Sequence, residues 1–230
     1  MKSKETTKVA GFLSGLPLFS KLGPVDLARV AASTTVLRVA RGKLVFRRGD
    51  PCAGFHAVVV GRVKLALASS QGIEKVLAIV EAGHSFGEGL IFLDRPHIVN
   101  AQALGDSVLL HVPSDVVFNA LDAEPRFARR MLLSMSLQLQ GLLQDMASNS
   151  FDSGTQRVVS FLLRNHRDND GNRFALPASK TVVASRLSLT PEHFSRILHD
   201  LVNHQLIDVS GRIITVVDAA ALAAYSHEHH

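Results

Sequence analysis

The feature that most constrains this chain is a change of hydrophobic period near residue 124. From Val36 to about Ser114 the apolar residues come in short runs, Lys43–Phe46, His56–Val60, Val63–Leu67 and Val76–Val80, with glycines between them. Nine of the sixteen glycines (42, 49, 54, 61, 72, 83, 87, 89 and 105) fall in this stretch, where glycine takes positive φ in tight turns without a Cβ penalty. Strands this short and evenly spaced predict a β-barrel or jelly roll.

From Glu124 to Ser148 the period lengthens. Leu132, Met135, Leu139, Leu142 and Met146 alternate steps of three and four, about the 3.5-residue repeat of a coiled-coil seam. One long helix is predicted, either the seam of a homodimer or an amphipathic helix buried within a monomer. A second set, Leu133, Leu137 and Leu143, is expected to pack back on the barrel. Asn149–Gly154 reads as a hinge before a helix at about Thr155–Asn165, and residues 167–173 as a polar loop with turn chemistry.

Residues 179–203 are the most informative for function. Ser179 is an N-cap for a helix running from Lys180 to Leu187, and Thr190 followed by Pro191 opens a second helix a few residues later. Two helices joined so closely predict a helix-turn-helix. On a helical wheel, Phe194, Ile197, Leu198 and Leu201 share one face of the second helix, and Glu192, Ser195, Arg196, His199 and Asn203 share the other. Those polar groups suit base edges in a major groove: arginine offers a fork to guanine, glutamate accepts from the cytosine amine, and serine serves several partners. An ordinary surface helix with a Glu192–Arg196 ion pair one turn apart is the other reading. Leu206–Val209, the turn Ser210-Gly211 and Arg212–Val217 predict a hairpin directly after it, which makes a winged motif.

Charge and cysteine content remove several classes. The formal net charge is +5, but residues 1–48 hold ten Lys/Arg against two acids while residues 151–230 hold eight against eight. The helix-turn-helix is therefore not a broadly basic field. One cysteine, Cys52, closes no internal disulfide and supplies no cysteine-bound cluster. The basic start followed by Val9–Phe19 mimics a signal peptide, but Glu5, Ser14 and Pro17 interrupt it, and no run of about 18 apolar residues occurs. The expectation is a cytoplasmic protein without membrane partners. No paired carboxylates or activated nucleophile stand out, so no catalysis is expected.

Over essentially its full length the chain resembles the Crp/Fnr family of bacterial transcription regulators. Leu16-Pro17-Leu18-Phe19-Ser20-Lys21-Leu22, the glycine-punctuated β-roll with Phe86-Gly87-Glu88, the long helix, and Ser179-Lys180 followed by Pro191-Glu192-His193-Phe194-Ser195-Arg196 stand in family order. The resemblance implies an α+β protein: a β-roll sensor domain with N-terminal helices at 1–123, a dimerisation helix at 124–150 with Leu132, Met135, Leu139, Leu142 and Met146 as its seam, and a winged helix-turn-helix at 151–230. It implies binding to double-stranded DNA as a homodimer, with RNA polymerase as a further partner. Glu-x-x-Ser-Arg resembles the Fnr-type reading head, so Glu192, Ser195 and Arg196 are expected to read bases of TTGAT-type palindromes. Ser179, Lys180, Thr190, His193, His199 and Arg212 are candidates for backbone or flanking contacts. Ser188 departs from the glycine that many helix-turn-helices carry there at positive φ.

For the effector, absences decide more than matches. Cyclic-nucleotide binders of the family carry an Arg-Ser or Arg-Thr pair about ten residues after Gly-Glu, the arginine gripping the cyclic phosphate; here Ile98-Val99 stand there, so cAMP is not expected. The iron–sulfur sensors of the family need four cysteines, so no such cluster is expected either. Val45-Phe46-Arg47-Arg48-Gly49 and the Leu187-Ser188-Leu189 to Arg196 block resemble the Dnr branch, denitrification regulators that sense nitric oxide through haem. That implies haem b, for which His56, His84, His97, His111 and Cys52 are candidate ligands. None has a selecting spacing, and His84, beside Phe86-Gly87-Glu88, is the first to mutate. No other metal site is expected, and His227–His230 is assigned no role. Two alternatives stay open: a β-roll ligand- or metal-binding protein or cupin-like enzyme, and a family regulator with another effector or none.

Overall fold

The computed structural model describes residues 2–20, 22–69, 74–167 and 172–228. Lys21, most of the expected polar loop (168–171) and the histidines at 229–230 lie outside the described residues. The chain divides into two compact units, Met1–Gln140 and Gly141–His230. No described helix is long and apolar enough to cross a membrane.

The first unit begins with helices α1 (Lys2–Gly15) and α2 (Pro24–Ser33), followed by strands β1 (Thr35–Val39), β2 (Leu44–Phe46), β3 (Gly54–Val60), β4 (Arg62–Ala68), β5 (Glu74–Glu81) and β6 (Ser85–Phe86). A 3-10 helix, η1 (Glu88–Phe92), precedes β7 (Asn100–Ala103), β8 (Ser107–Pro113), α3 (Ser114–Ala123) and α4 (Pro125–Phe151). The strands form two four-stranded antiparallel sheets, ordered β1-β8-β3-β6 and β2-β7-β4-β5. The β-roll expected from the sequence is present.

Strand β3 explains how the roll holds together, because five successive residues from Gly54 to Val58 are buried. Successive side chains on a strand point to opposite faces. Phe55 and Ala57 join the helices over one face, where Phe19 stacks on Phe55 with ring centroids 6.0 Å apart and packs against Phe127 at 5.5 Å. Val58 joins Phe46, Val63, Val80, Phe86, Ala101 and Leu109 between the sheets. Gly54 permits the close pairing with β8, since a Cβ there would lie 2.2 Å from the Val112 carbonyl oxygen.

Helix α4 turns Phe127 and Met131 into this unit's core. Leu132, Leu139, Leu142 and Met146 are exposed, and Met135 is partly buried against the first core. The expectation that Leu133, Leu137 and Leu143 pack back on the barrel is corrected: all three are exposed. At about 100° per residue they sit about 100–140° round the helix from Phe127, Met131 and Gln138, and Leu143 falls beside the seam.

The second unit holds the end of α4, then α5 (Gly154–Arg167), β9 (Arg173–Ala175), α6 (Lys180–Arg186), α7 (Pro191–Asn203), β10 (Ile207–Ser210), β11 (Ile213–Val216) and α8 (Ala219–Glu228). The expected hairpin is β10–β11, but it belongs to a three-stranded sheet ordered β10-β11-β9. The polar loop is corrected at its end, where Arg173 starts β9 and pairs with Thr215. Only Phe174 of that strand is buried, so it carried no alternating signal. Helix α8 was equally silent, an alanine-rich segment anchored by the fully buried Leu222.

Candidate DNA-reading surface and β-roll interior

The two helix starts form as the sequence predicts. Ser179 Oγ accepts from the Val182 amide at 3.4 Å and Thr190 Oγ1 from the His193 amide at 3.2 Å, each satisfying one of the unpaired donors of a first turn. Pro191 at the first helical position presets φ for α7. Between the helices the Leu189 amide donates to Ala184 O at 2.9 Å, and Ser188 takes φ +58°. Ser188 therefore occupies the left-handed region that glycine adopts more cheaply. Its hydroxyl donates to Asn149 Oδ1 at 2.9 Å.

Helix α7 is divided as the wheel requires. Phe194, Ile197, Leu198 and Leu201 are 0–4% exposed, whereas Glu192, Ser195, Arg196, His199 and Asn203 are all exposed. Among the described salt bridges none joins Glu192 to Arg196, so that helix pair is not what holds these side chains. The flanking candidates differ among themselves. Ser179 and Thr190 serve as caps; Lys180 is half-buried; His199 is exposed. His193 is half-buried, its ring 3.0 Å from where a Cβ on Gly154 would stand. Arg212 donates from Nη2 to the Leu176 carbonyl at 2.6 Å, which ties the wing to the segment after β9.

Inside the β-roll three histidines meet. His56 of β3 pairs in register with His111 of β8 and with Phe86 of β6. The His56 ring lies 4.8 Å from His111, 5.4 Å from Phe86 and 5.6 Å from Phe46, and His97 stacks on Phe46 at 3.5 Å. His56 and His97 are 6% and 4% exposed, and the Nδ1 atoms of all three are buried without a hydrogen-bond partner. Burial, reinforced by the neighbouring His111 and His97, pushes the His56 pKa down to about 3; burial also lowers His97, against the pull of Asp50, and His111. All three are neutral imidazoles in the fold. His84, the first candidate, is exposed and shares none of these ring contacts. Strand register, which sequence spacing does not display, brings His56 and His111 together.

Glu88 opens η1 and is fully buried. Its Oε2 accepts from Gln138 Nε2 of α4 at 3.4 Å, while Oε1 has no partner. Burial raises its pKa, against the lowering effect of hydrogen bonds from Ser85, its own amide and Gln138. Ile98 is exposed and Val99 packs on the inter-sheet core, so neither offers a cation to a phosphate. On the β2–β7 side a cavity of about 640 Å³ is lined by Lys43, Arg47, Asp50, Glu74, Asn100 and Gln102. Its amides and Asp50 are engaged by backbone, with Gln102 donating to Gly42 O at 2.7 Å and Asn100 and Asp50 accepting from the Arg48 and Arg47 amides, and Glu74 pairs with Lys64. Among the described residues no three His, Cys, Asp or Glu side chains are grouped to hold a metal ion.

Residues 36–124 match the cyclic nucleotide-binding domain family and residues 156–225 the Crp-like helix-turn-helix domain family. The global nitrogen regulator of Synechococcus elongatus is 30% identical over 218 residues, covering 90% of this chain and 95% of that protein. The crystal structure of DNR from Pseudomonas aeruginosa is 31% identical with a TM-score of 0.51, over 94% of this chain and 96% of that one. FixK2 from Bradyrhizobium japonicum shares the fold at a TM-score of 0.75 and 23% identity, over 83% of this chain and 96% of that one.

Proposed function

Because the chain belongs to the Crp/Fnr family of transcription regulators, whose members bind DNA, act as dimers and are not enzymes, we propose that it is a cytoplasmic, effector-gated homodimer that reads TTGAT-type palindromes through α7. The observation that carries this reading is the division of α7: a fully buried apolar face holds the helix, and Glu192, Ser195 and Arg196 stand free of core packing on the other. Arg196 donates a fork to guanine, and Glu192 and Ser195 take neighbouring base edges. Ser179, Lys180, Thr190, His193, His199 and Arg212 supply backbone or flanking contacts, with the amides at the starts of α6 and α7 adding positive potential toward phosphates.

The exposed row Leu132, Leu139, Leu142 and Met146, with Met135, is the dimer seam, and the functional divisions are 1–123, 124–150 and 151–230. An effector in the β-roll shifts the dimer between states in which the two copies of α7 do or do not match half-sites one turn of DNA apart. RNA polymerase is the partner that reads the bound state.

The Dnr-like residues extend the proposal to haem b and nitric oxide, with denitrification genes as targets. Neutral imidazoles with unpartnered nitrogens in an apolar interior are the donor type that haem iron takes, and His56, His97 and His111 fit that description. When bound, the haem would supply an iron site for nitric oxide. The chain's own part is to keep those imidazoles unprotonated and shielded from water. Neither cAMP nor an iron–sulfur cluster belongs to this reading, since Ile98-Val99 replace the phosphate-gripping pair and Cys52 is alone.

The test is a mobility-shift assay on a TTGAT palindrome and its scrambled duplex, run beside absorption spectra after haem addition with and without nitric oxide. Preference for the palindrome that depends on haem and nitric oxide is expected. Equal binding to both duplexes overturns the DNA reading, and palindrome binding indifferent to haem and nitric oxide favours a regulator with another effector or none.

A further inference from the structure

We infer that η1 of each copy clasps the α4 helix of the other, with Phe92 and Leu93 packed along the partner helix beside the positions of Leu132, Ser136 and Leu133. The inference rests on the reading of α4 as a parallel dimer seam and adds a second contact to it.

Both surfaces are apolar and uncovered in one chain. Phe92 is 43% exposed and Leu93 60%, and Phe118 of α3 extends the patch edge-on to Phe92 at 5.6 Å. On α4, Leu132 and Leu133 are 65% and 58% exposed. Isolated exposed leucines need no explanation, but contiguous apolar patches mark contacts.

Symmetry brings the two together. Within one chain η1 lies along one flank of α4, because Gln138 donates to Glu88 and a Cβ on Gly89 would stand 3.8 Å from Met135 Cε. On the wheel that flank lies about 30–90° to one side of the seam centre. A two-fold axis along the seam carries η1 to the opposite flank of the partner helix at the same height. The residues there are Leu132 at about 30°, Ser136 at about 70° and Leu133 at the rim at about 130°. The partner helix covers Met135 and Leu139 in the seam but leaves Leu133 open, and small Ser136 leaves room for a large side chain from the clasp. None of these five residues is ionisable; Arg129 lies on the same flank of α4 at about 90°, and Asp94 and Arg95, of opposite sign, follow Leu93.

The test pairs full-length chains. Chains with Leu93→Cys and chains with Ser136→Cys, both carrying Cys52→Ser, are co-expressed and mildly oxidised. All these sites except Cys52 are exposed, so folding is retained. A disulfide requires Cα atoms about 4.4–6.8 Å apart. The expected product is a linked dimer with one chain of each kind, formed about tenfold faster than between Leu93→Cys and Val25→Cys chains. Leu139→Cys, which would link to its own copy across the seam, is the companion. Linkage at Leu139→Cys with no excess between Leu93→Cys and Ser136→Cys overturns the clasp and leaves the seam intact. Linkage at neither, with a monomer mass, overturns the seam on which the clasp rests.

Discussion

The Arg186 guanidinium donates to the Asp145 carboxylate at 2.6 Å, joining the last turn of α6 to the end of α4 within the second unit. Both side chains are largely shielded, at 27% and 18% exposed. A charge-assisted bond in such a place ties α6 to the last turns of α4. Asp145→Ala leaves the guanidinium unpaired and is expected to lower the stability of this unit by about 1–3 kcal/mol. Chemical denaturation of the two single variants and of Asp145→Ala with Arg186→Ala checks it, since a real pair makes the double variant less damaged than the sum.

Acid is expected to loosen the β-roll. His56 is held neutral with a pKa of about 3, while in the unfolded chain it titrates near 6.5. The unfolded state therefore binds the extra proton first, and stability present above about pH 6.5 is lost as pH falls toward 3. His56 alone costs about 2 kcal/mol by pH 5, and the lowered pKa values of His97 and His111 act in the same direction. Urea midpoints at pH 7 and pH 5 measure the loss, and His56→Leu should shrink it.

Arg196→Ala is expected to remove the preference for a TTGAT palindrome over a scrambled duplex, at about 1–3 kcal/mol per half-site. Because Arg196 is exposed, folding should not change. Retained preference in a competition mobility shift would show that another helix reads the bases.

Leu139→Glu places two carboxylates in the proposed seam and is expected to disperse the dimer. At 58% exposure in one chain, the side chain contributes little to the monomer core. Sedimentation or light scattering gives the mass, and an unchanged dimer mass would place the seam elsewhere.

Ser188→Gly relieves a residue held at φ +58° but loses the hydroxyl bond to Asn149. The left-handed conformation costs about 1–2 kcal/mol for a residue with a Cβ, and glycine returns part of that in chain entropy. A net gain of about 0.5–1 kcal/mol is expected in thermal or urea unfolding. A loss would mean that the Asn149 bond outweighs the strain.

Whatever has a local cause was legible in the sequence. The change of period placed α4, the serine, threonine and proline before α6 and α7 placed their starts, and the spacing of Phe194, Ile197, Leu198 and Leu201 divided α7 into a buried and an exposed face. The rest depends on strand register and on which helix face finds a neighbour, and became visible only in the folded chain. His56, His97 and His111 are far apart in sequence and became one cluster because β3 pairs with β8 and the loop before β7 folds His97 onto Phe46. His84, nearer to Phe86 in sequence, stayed exposed because it lies in the turn before β6. Leu133 and Leu137 have the same periodicity whether or not anything covers them, and packing at Phe127 and Met131 turned them outward. Periodicity reports which residues share a face; the partners of that face come from contacts distant in the chain.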